Sequence, residues 1–165
     1  MFSKKERSTF PYWFAHTCAY QMTALNCGVW KFKYLFHDIE KPFLKLLLPY
    51  SKVQRIHRIH HRHHPEWLEN KLKYYDNEIC YEPDTLKKLL DKFDYDGAII
   101  DWECCHFTKA EEPLDAYGEY KKIFKDFRTF QEKYPLIAKH CYYEFSERLL
   151  ESIKKLGLYG KGKSI

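Results

Sequence analysis

Glycine and proline are scarce, at six and seven among 165 residues. An all-β sandwich or barrel needs many tight turns built from both residues, so the shortage argues against one. Paired cysteines are missing too: Cys18, Cys27, Cys80, Cys104, Cys105 and Cys141 form no C-x-x-C motif and show no regular spacing. That argues against a cysteine-rich structural zinc site or a disulfide framework and predicts reduced thiols in a cytoplasmic protein. No apolar run approaches the roughly 18 residues of a membrane span. The longest candidate, FLKLLLP at 43–49, is interrupted by Lys45 and stopped by Pro49. The N-terminus, MFSKKERSTF, has early positive charge but no apolar stretch behind it of the kind a secretory signal carries.

What is present points to a helical, aromatic-rich globule. Hydrophobic residues make up 45% and charged residues 31%, a balance that separates the chain from disordered sequences. Fourteen Tyr and twelve Phe predict a core, and in part a pocket wall, made of rings. The net charge of +5 suits an anionic ligand such as a nucleotide, phosphate ester or nucleic acid, though it is also ordinary for a soluble protein.

Bulky residues recur at helical intervals over 10–27, with Asn26-Cys27-Gly28 as the stop. An apolar segment follows at 29–39, and Pro42 suits the first turn of a helix through FLKLLL. The pattern predicts a helix over 51–63. Pro65 disfavours helical geometry at His64 and opens a new helix, PEWLENKLKYYDN. Further helices are expected at 83–93 and 95–107, then two longer ones at 113–133 and 135–156, either completing the bundle or forming a dimer face. The tail 157–165, with three glycines and two lysines, should fray. Without repeats or linkers, residues 1–165 read as one all-α domain, a helical bundle.

Five of the nine histidines fall in RIHRIHHRHHPEW, residues 55–67. Wound at 100° per residue, Val53, Ile56, Ile59, His60 and His63 share a broad face with His64 at its margin. Arg55, Arg58 and Arg62 take the opposite side, and His57 and His61 read as surface residues beside them. His60 and His64 have the i,i+4 spacing that lets two imidazoles reach one metal. A second cluster is Phe36-His37-Asp38-Ile39-Glu40-Lys41-Pro42, where imidazole and carboxylate stand side by side. His16 lies in the first helix, and Asp101 sits in GAIIDWECC, where an apolar context calls for a partner such as a metal.

In the order His16, His37-Asp38, Asp101, these residues resemble the H…HD…D signature of the HD-domain superfamily, all-helical and mostly metal-dependent phosphohydrolases. Leu35 to Pro42 is similar to the family's apolar-HD-x-x-K-P stretch, and HHRHHPE at 60–66 resembles its His-rich segment. The resemblance spans about residues 10–107 and is narrowest to a branch of bacterial and phage HD-like proteins. It implies an HD-like bundle in which His16, His37, Asp38 and Asp101 are the primary metal ligands, with His60 and His64 extending the site. It further implies that Lys41 contacts the scissile phosphate or braces the carboxylates, that His63 passes a proton, and that His61 and Arg62 contact substrate. Glu66 then fixes an imidazole tautomer, or simply favours its helix N-terminus.

Glycine is common in the family where Glu40 stands, and no histidine lies between 65 and 105, so the resemblance does not reproduce the spaced extra histidines of two-metal members. The expected cofactor is a divalent metal, Mn, Fe, Co, Ni or Zn, with Mg also compatible; the expected substrate is a nucleotide or other small phosphate ester. Tyr12, Trp13, Tyr20 and Trp67 are core or pocket wall, or stack on a base. Two other readings stand beside the hydrolase: a diiron oxygenase on the same scaffold, and a nucleic-acid-binding protein that engages phosphates through its arginines and lysine-rich tail.

Overall fold

The computed structural model describes residues 1–76, 83–109 and 115–160. Among them the protein is all-α: ten α-helices, no strand, and a single extended contact in which Phe2 N donates to Thr108 O at 2.8 Å. The helices are α1 (Phe10–Asn26), α2 (Glu40–Leu47), α3 (Tyr50–His60), α4 (Pro65–Asp76), α5 (Pro83–Lys92), α6 (Tyr95–Thr108), α7 (Ala116–Phe124), α8 (Phe127–Lys133), α9 (Pro135–His140) and α10 (Tyr142–Lys155). No described helix is long and apolar enough to cross a membrane.

α6 is the centre of the bundle. Gly97, Ala98, Ile99, Ile100, Asp101, Cys104, Cys105 and Thr108 are all buried, so the helix is covered nearly all round rather than along one stripe. It begins where Asp94 accepts a hydrogen bond from Gly97 N at 3.2 Å, an N-cap on an otherwise unmet donor. A side chain at Gly97 would put its Cβ 2.8 Å from the Asp94 carboxyl carbon, so the cap requires glycine there. α1 packs along one side of α6 and α10 along another. On the α10 side, Phe145, Leu149 and Ile153 join Leu68, Leu72, Ile99 and Ile137 in the main core.

α1 ends as its sequence suggests: Gly28 takes φ +68°, and Val29 N reaches back to Ala24 O at 3.0 Å. The two long C-terminal helices are each cut in two. Asp126 accepts from Arg128 N and Thr129 N and starts α8 afresh, while Cys141, at φ −150° and ψ 21°, separates α9 from α10. Together α7–α10 complete the bundle, burying Phe130, Ile137 and Phe145. The start expected at 113, Cys80, and most of the expected tail (161–165) lie outside the described residues.

The histidine helix is also shorter than 51–63. α3 stops at His60, and 61–64 form a turn in which His64 N bonds His61 O at 3.1 Å before Pro65 opens α4. A helix wheel drawn to residue 64 therefore runs past the helix it describes.

Candidate metal centre

The first element of the site is a backbone reversal. A short 3-10 turn, Phe32–Phe36, delivers the chain to His37 in extended geometry; Asp38 then takes φ +63°, the one described non-glycine residue with positive φ. Aspartate tolerates this left-handed region better than most residues, at a cost on the order of 1 kcal/mol. Both His37 and Asp38 are buried, and Lys41, in the first turn of α2, returns its Nζ to within 2.6 Å of Asp38 Oδ2.

α1 and α6 bring the next two groups. His16 Nε2 lies 3.1 Å from Asp101 Oδ1 and 3.6 Å from Asp38 Oδ2, and His37 Nε2 lies 3.6 Å from both Asp38 Oδ1 and Asp101 Oδ1. The Tyr20 ring stacks on His37 at 3.7 Å, and Thr17 Oγ1 donates to His37 O at 3.0 Å, fixing that imidazole against α1. Thr108 Oγ1 donates to Cys104 O at 3.2 Å, so toward His16 it can only accept, from Nδ1–H at 3.4 Å. That leaves the Nε2 side of His16 facing the carboxylates. Sequence spacing alone did not reveal Thr108 in this orienting position.

The His-rich segment supplies the other wall, with His63 and His64 as its pattern suggested but His57 in place of His60. His60 is exposed and joins no ligand grouping, and Arg62 is exposed as well. His57 is buried instead: it follows Val53 by one helical turn, and both face inward. Its Nδ1–H makes a very short hydrogen bond to Glu40 Oε1, so a neutral ring presents a bare Nε2 toward Asp38 Oδ1, 3.1 Å away. His61 Nε2 lies 3.1 Å from the same Glu40 oxygen, and the His61 side chain is 37% exposed. His63 and His64 complete the wall, with rings 4.2 Å apart and His63 5.2 Å from His37.

Glu40 thus occupies the orienting position expected of Glu66. Glu66 meets Tyr134 OH at 3.3 Å and Arg58 at 3.4 Å, which makes it part of the α4–α9 packing. Only the general excess of carboxylates in Phe36–Pro42 pointed to Glu40; its contact with His57 depends on α2 folding back against α3.

Electrostatics keep the donors ready to bind a cation. Burial pushes His57 down to about 4 despite the Glu40 hydrogen bond, and burial drives His63 and His64 well below the usual imidazole range. All three rings are therefore neutral near pH 7, each with a nitrogen lone pair free. Burial alone would raise Asp38, but the His37 imidazole and the Lys41 ammonium beside it outweigh burial and hold the carboxyl well below the usual carboxylate range; the neighbouring His16 and His37 imidazoles act in the same way on Asp101.

The fit to a metal can be judged from unmet polar atoms. His37 Nε2, Asp38 Oδ1, His57 Nε2, His63 Nε2 and His64 Nε2 are all buried without a hydrogen-bond partner. Such atoms cost roughly 1–3 kcal/mol each when left alone, and here they line adjoining walls. His16, His37 and Asp38 form one grouping with ligand-like spacing; His57, His63 and His64 form a second, and Glu40, His57 and His61 a third. These side chains can hold a metal ion. Cys104 and Cys105 lie near His16 and Asp101, but burial pushes the Cys104 thiol up, and its Sγ donates to Asp101 O at 3.2 Å.

No family model, curated protein or solved structure matches this chain. The centre is defined by its own geometry.

Proposed function

We propose that this protein is a metal-dependent phosphohydrolase of HD-like type, acting on a nucleotide or other small phosphate ester. The observation that carries the reading is the set of five buried, unpartnered donor atoms on His37, Asp38, His57, His63 and His64, closed on the far side by His16 and Asp101. Imidazole nitrogens outnumber carboxylates, which favours Mn, Fe, Co, Ni or Zn over Mg. His16, His37, Asp38 and Asp101 would hold a divalent cation, which when bound would supply Lewis-acid polarisation of a phosphoryl oxygen and acidification of water.

The chain's own residues perform the remaining work. Glu40 holds the Nδ1 proton of His57 and so keeps its Nε2 directed inward. Lys41, paired with Asp38 and mostly buried, offers a positive charge to the phosphate. His61, the imidazole with a third of its surface in solvent and a carboxylate partner, is placed to give a proton to the leaving oxygen.

The test is metal content of untagged protein, followed by a screen of nucleotides and sugar phosphates. Wild type should carry near-stoichiometric transition metal and release inorganic phosphate; a His37→Ala/Asp38→Asn double variant should lose both. Asparagine is chosen because it tolerates the backbone at position 38. Wild type that takes up none of Mn, Co, Ni or Zn refutes the reading. A second reading, a diiron oxygenase, is favoured by the three adjoining ligand groupings, which offer imidazoles for two ions. Two irons per chain with oxygen uptake and no phosphate release would select it.

A further inference from the structure

Exposed bulky hydrophobic side chains are unevenly spread over this molecule. Among the described residues, thirteen of the eighteen fall within the first 47 positions; the rest, such as Tyr74, Phe107 and Tyr143, are scattered. α1 accounts for the most ordered part. Its 17 residues, FPYWFAHTCAYQMTALN, include no Asp, Glu, Lys or Arg. Tyr12, Trp13, His16 and Tyr20 turn inward, while Phe10 (67% exposed), Phe14 (65%), Met22 and Leu25 line the outer face one or two turns apart.

The stripe does not end with α1. Thr17, which binds His37 O, is one turn from Phe14, so the segment leading into α2 borders the stripe. That segment exposes Phe32 and Phe36, whose rings touch edge to face at 5.6 Å. α2 then exposes Phe43, Leu46 and Leu47, the two leucines at 83%, and buries no residue at all. Scaled from the area such side chains bury when covered, this apolar surface is on the order of 1,000 Å². A typical monomer's largest patch is roughly 300–600 Å², and a standard interface takes about 800 Å² from each partner.

We infer that the outer face of α1, with α2 at its edge, is a homodimer interface that buries a second copy of this chain. A two-fold interface sets a surface against itself, so any charge at its centre meets its own like. A helix with no formal charge and a row of rings satisfies that condition, and Lys31, Lys33 and Lys45 lie in the segments that follow it rather than in α1. The dimer would also cover α2, the element that carries Glu40 and Lys41 and that buries no residue within its own chain. The inference rests on exposed surface and not on the metal reading, and either can fail without the other.

Sedimentation velocity at 1–100 µM decides it. Wild type should sediment at twice its 20.2 kDa mass. Phe14→Glu and Leu25→Glu should each weaken association at least about a hundredfold, since a charge on the α1 face appears twice across the axis, and Leu47→Glu at the edge should weaken it less, with the helical circular dichroism intact in all three. A wild-type monomer at 100 µM overturns the inference. So does a monomer that co-sediments with anionic phosphatidylcholine/phosphatidylglycerol vesicles, which would assign the face to a membrane surface. A dimer indifferent to all three substitutions would place the interface elsewhere.

Discussion

The two ends of this bundle satisfy their polar atoms very differently. At the C-terminal end, Ser152 Oγ donates to Asp96 Oδ1 at 2.6 Å, and buried Glu69 receives Leu136 N and Ile137 N at 3.0 Å, capping α9. From Asp115 onward, no described side chain buries an unpartnered nitrogen or oxygen. At the opposite end five such atoms crowd around Asp38, on a backbone that is itself strained. Around α9 and α10 these carboxylates are paired with donors, and around Asp38 five polar atoms are left without a partner. The contrast coincides with the side chains whose spacing could hold a metal ion.

The contrast can be broken at either end. Phe145 is fully buried among α6, α7 and α10, and Phe145→Ala should cost about 3–5 kcal/mol in urea unfolding while metal bound per folded molecule stays the same. Loss of metal in that variant would mean that the two ends are not separable. Glu40→Gln should act in reverse, lowering metal affinity about 10–100-fold in a chelator competition with little change in the metal-free melting temperature.

The smallest effect is the sharpest. His63→Phe removes an unpaired buried nitrogen, and the metal-free protein should gain about 1 kcal/mol. It should also flatten the acid limb of stability. The folded chain holds His63 neutral well below the ordinary imidazole value, whereas the unfolded chain takes up the proton near 6.5. The unfolded state therefore binds more protons as pH falls, so stability is full above about 6.5 and declines below it. Wild type should lose more stability than the variant between pH 7 and 5, with His57 and His64 accounting for the slope that remains.

The architecture was readable from the chain because it depends on local rules. Gly28 stops α1, Pro65 opens α4, and Asp101 lies among apolar neighbours on a buried helix. The His-rich wall was readable only in part. Its face was set by Ile56 and Ile59 as if the interior were apolar, yet both are half-buried, and α3 faces a polar cluster instead. Turning the helix toward the isoleucines put His60 inside and His57 outside, the reverse of what the fold does. Glu40 and Thr108 were hidden for another reason: each orients an imidazole that is distant in sequence, and such a role exists only once the helices have packed.

Position 38 also shapes what the lineage of this protein can become. Its left-handed backbone is comfortable for aspartate, asparagine and glycine and poor for nearly everything else. Of these three, only aspartate provides an anionic ligand. Asparagine is one base change from aspartate in the genetic code, and so is glycine. A descendant can therefore lose that carboxylate while keeping its fold and its surfaces, and selection acting on those surfaces alone would preserve it.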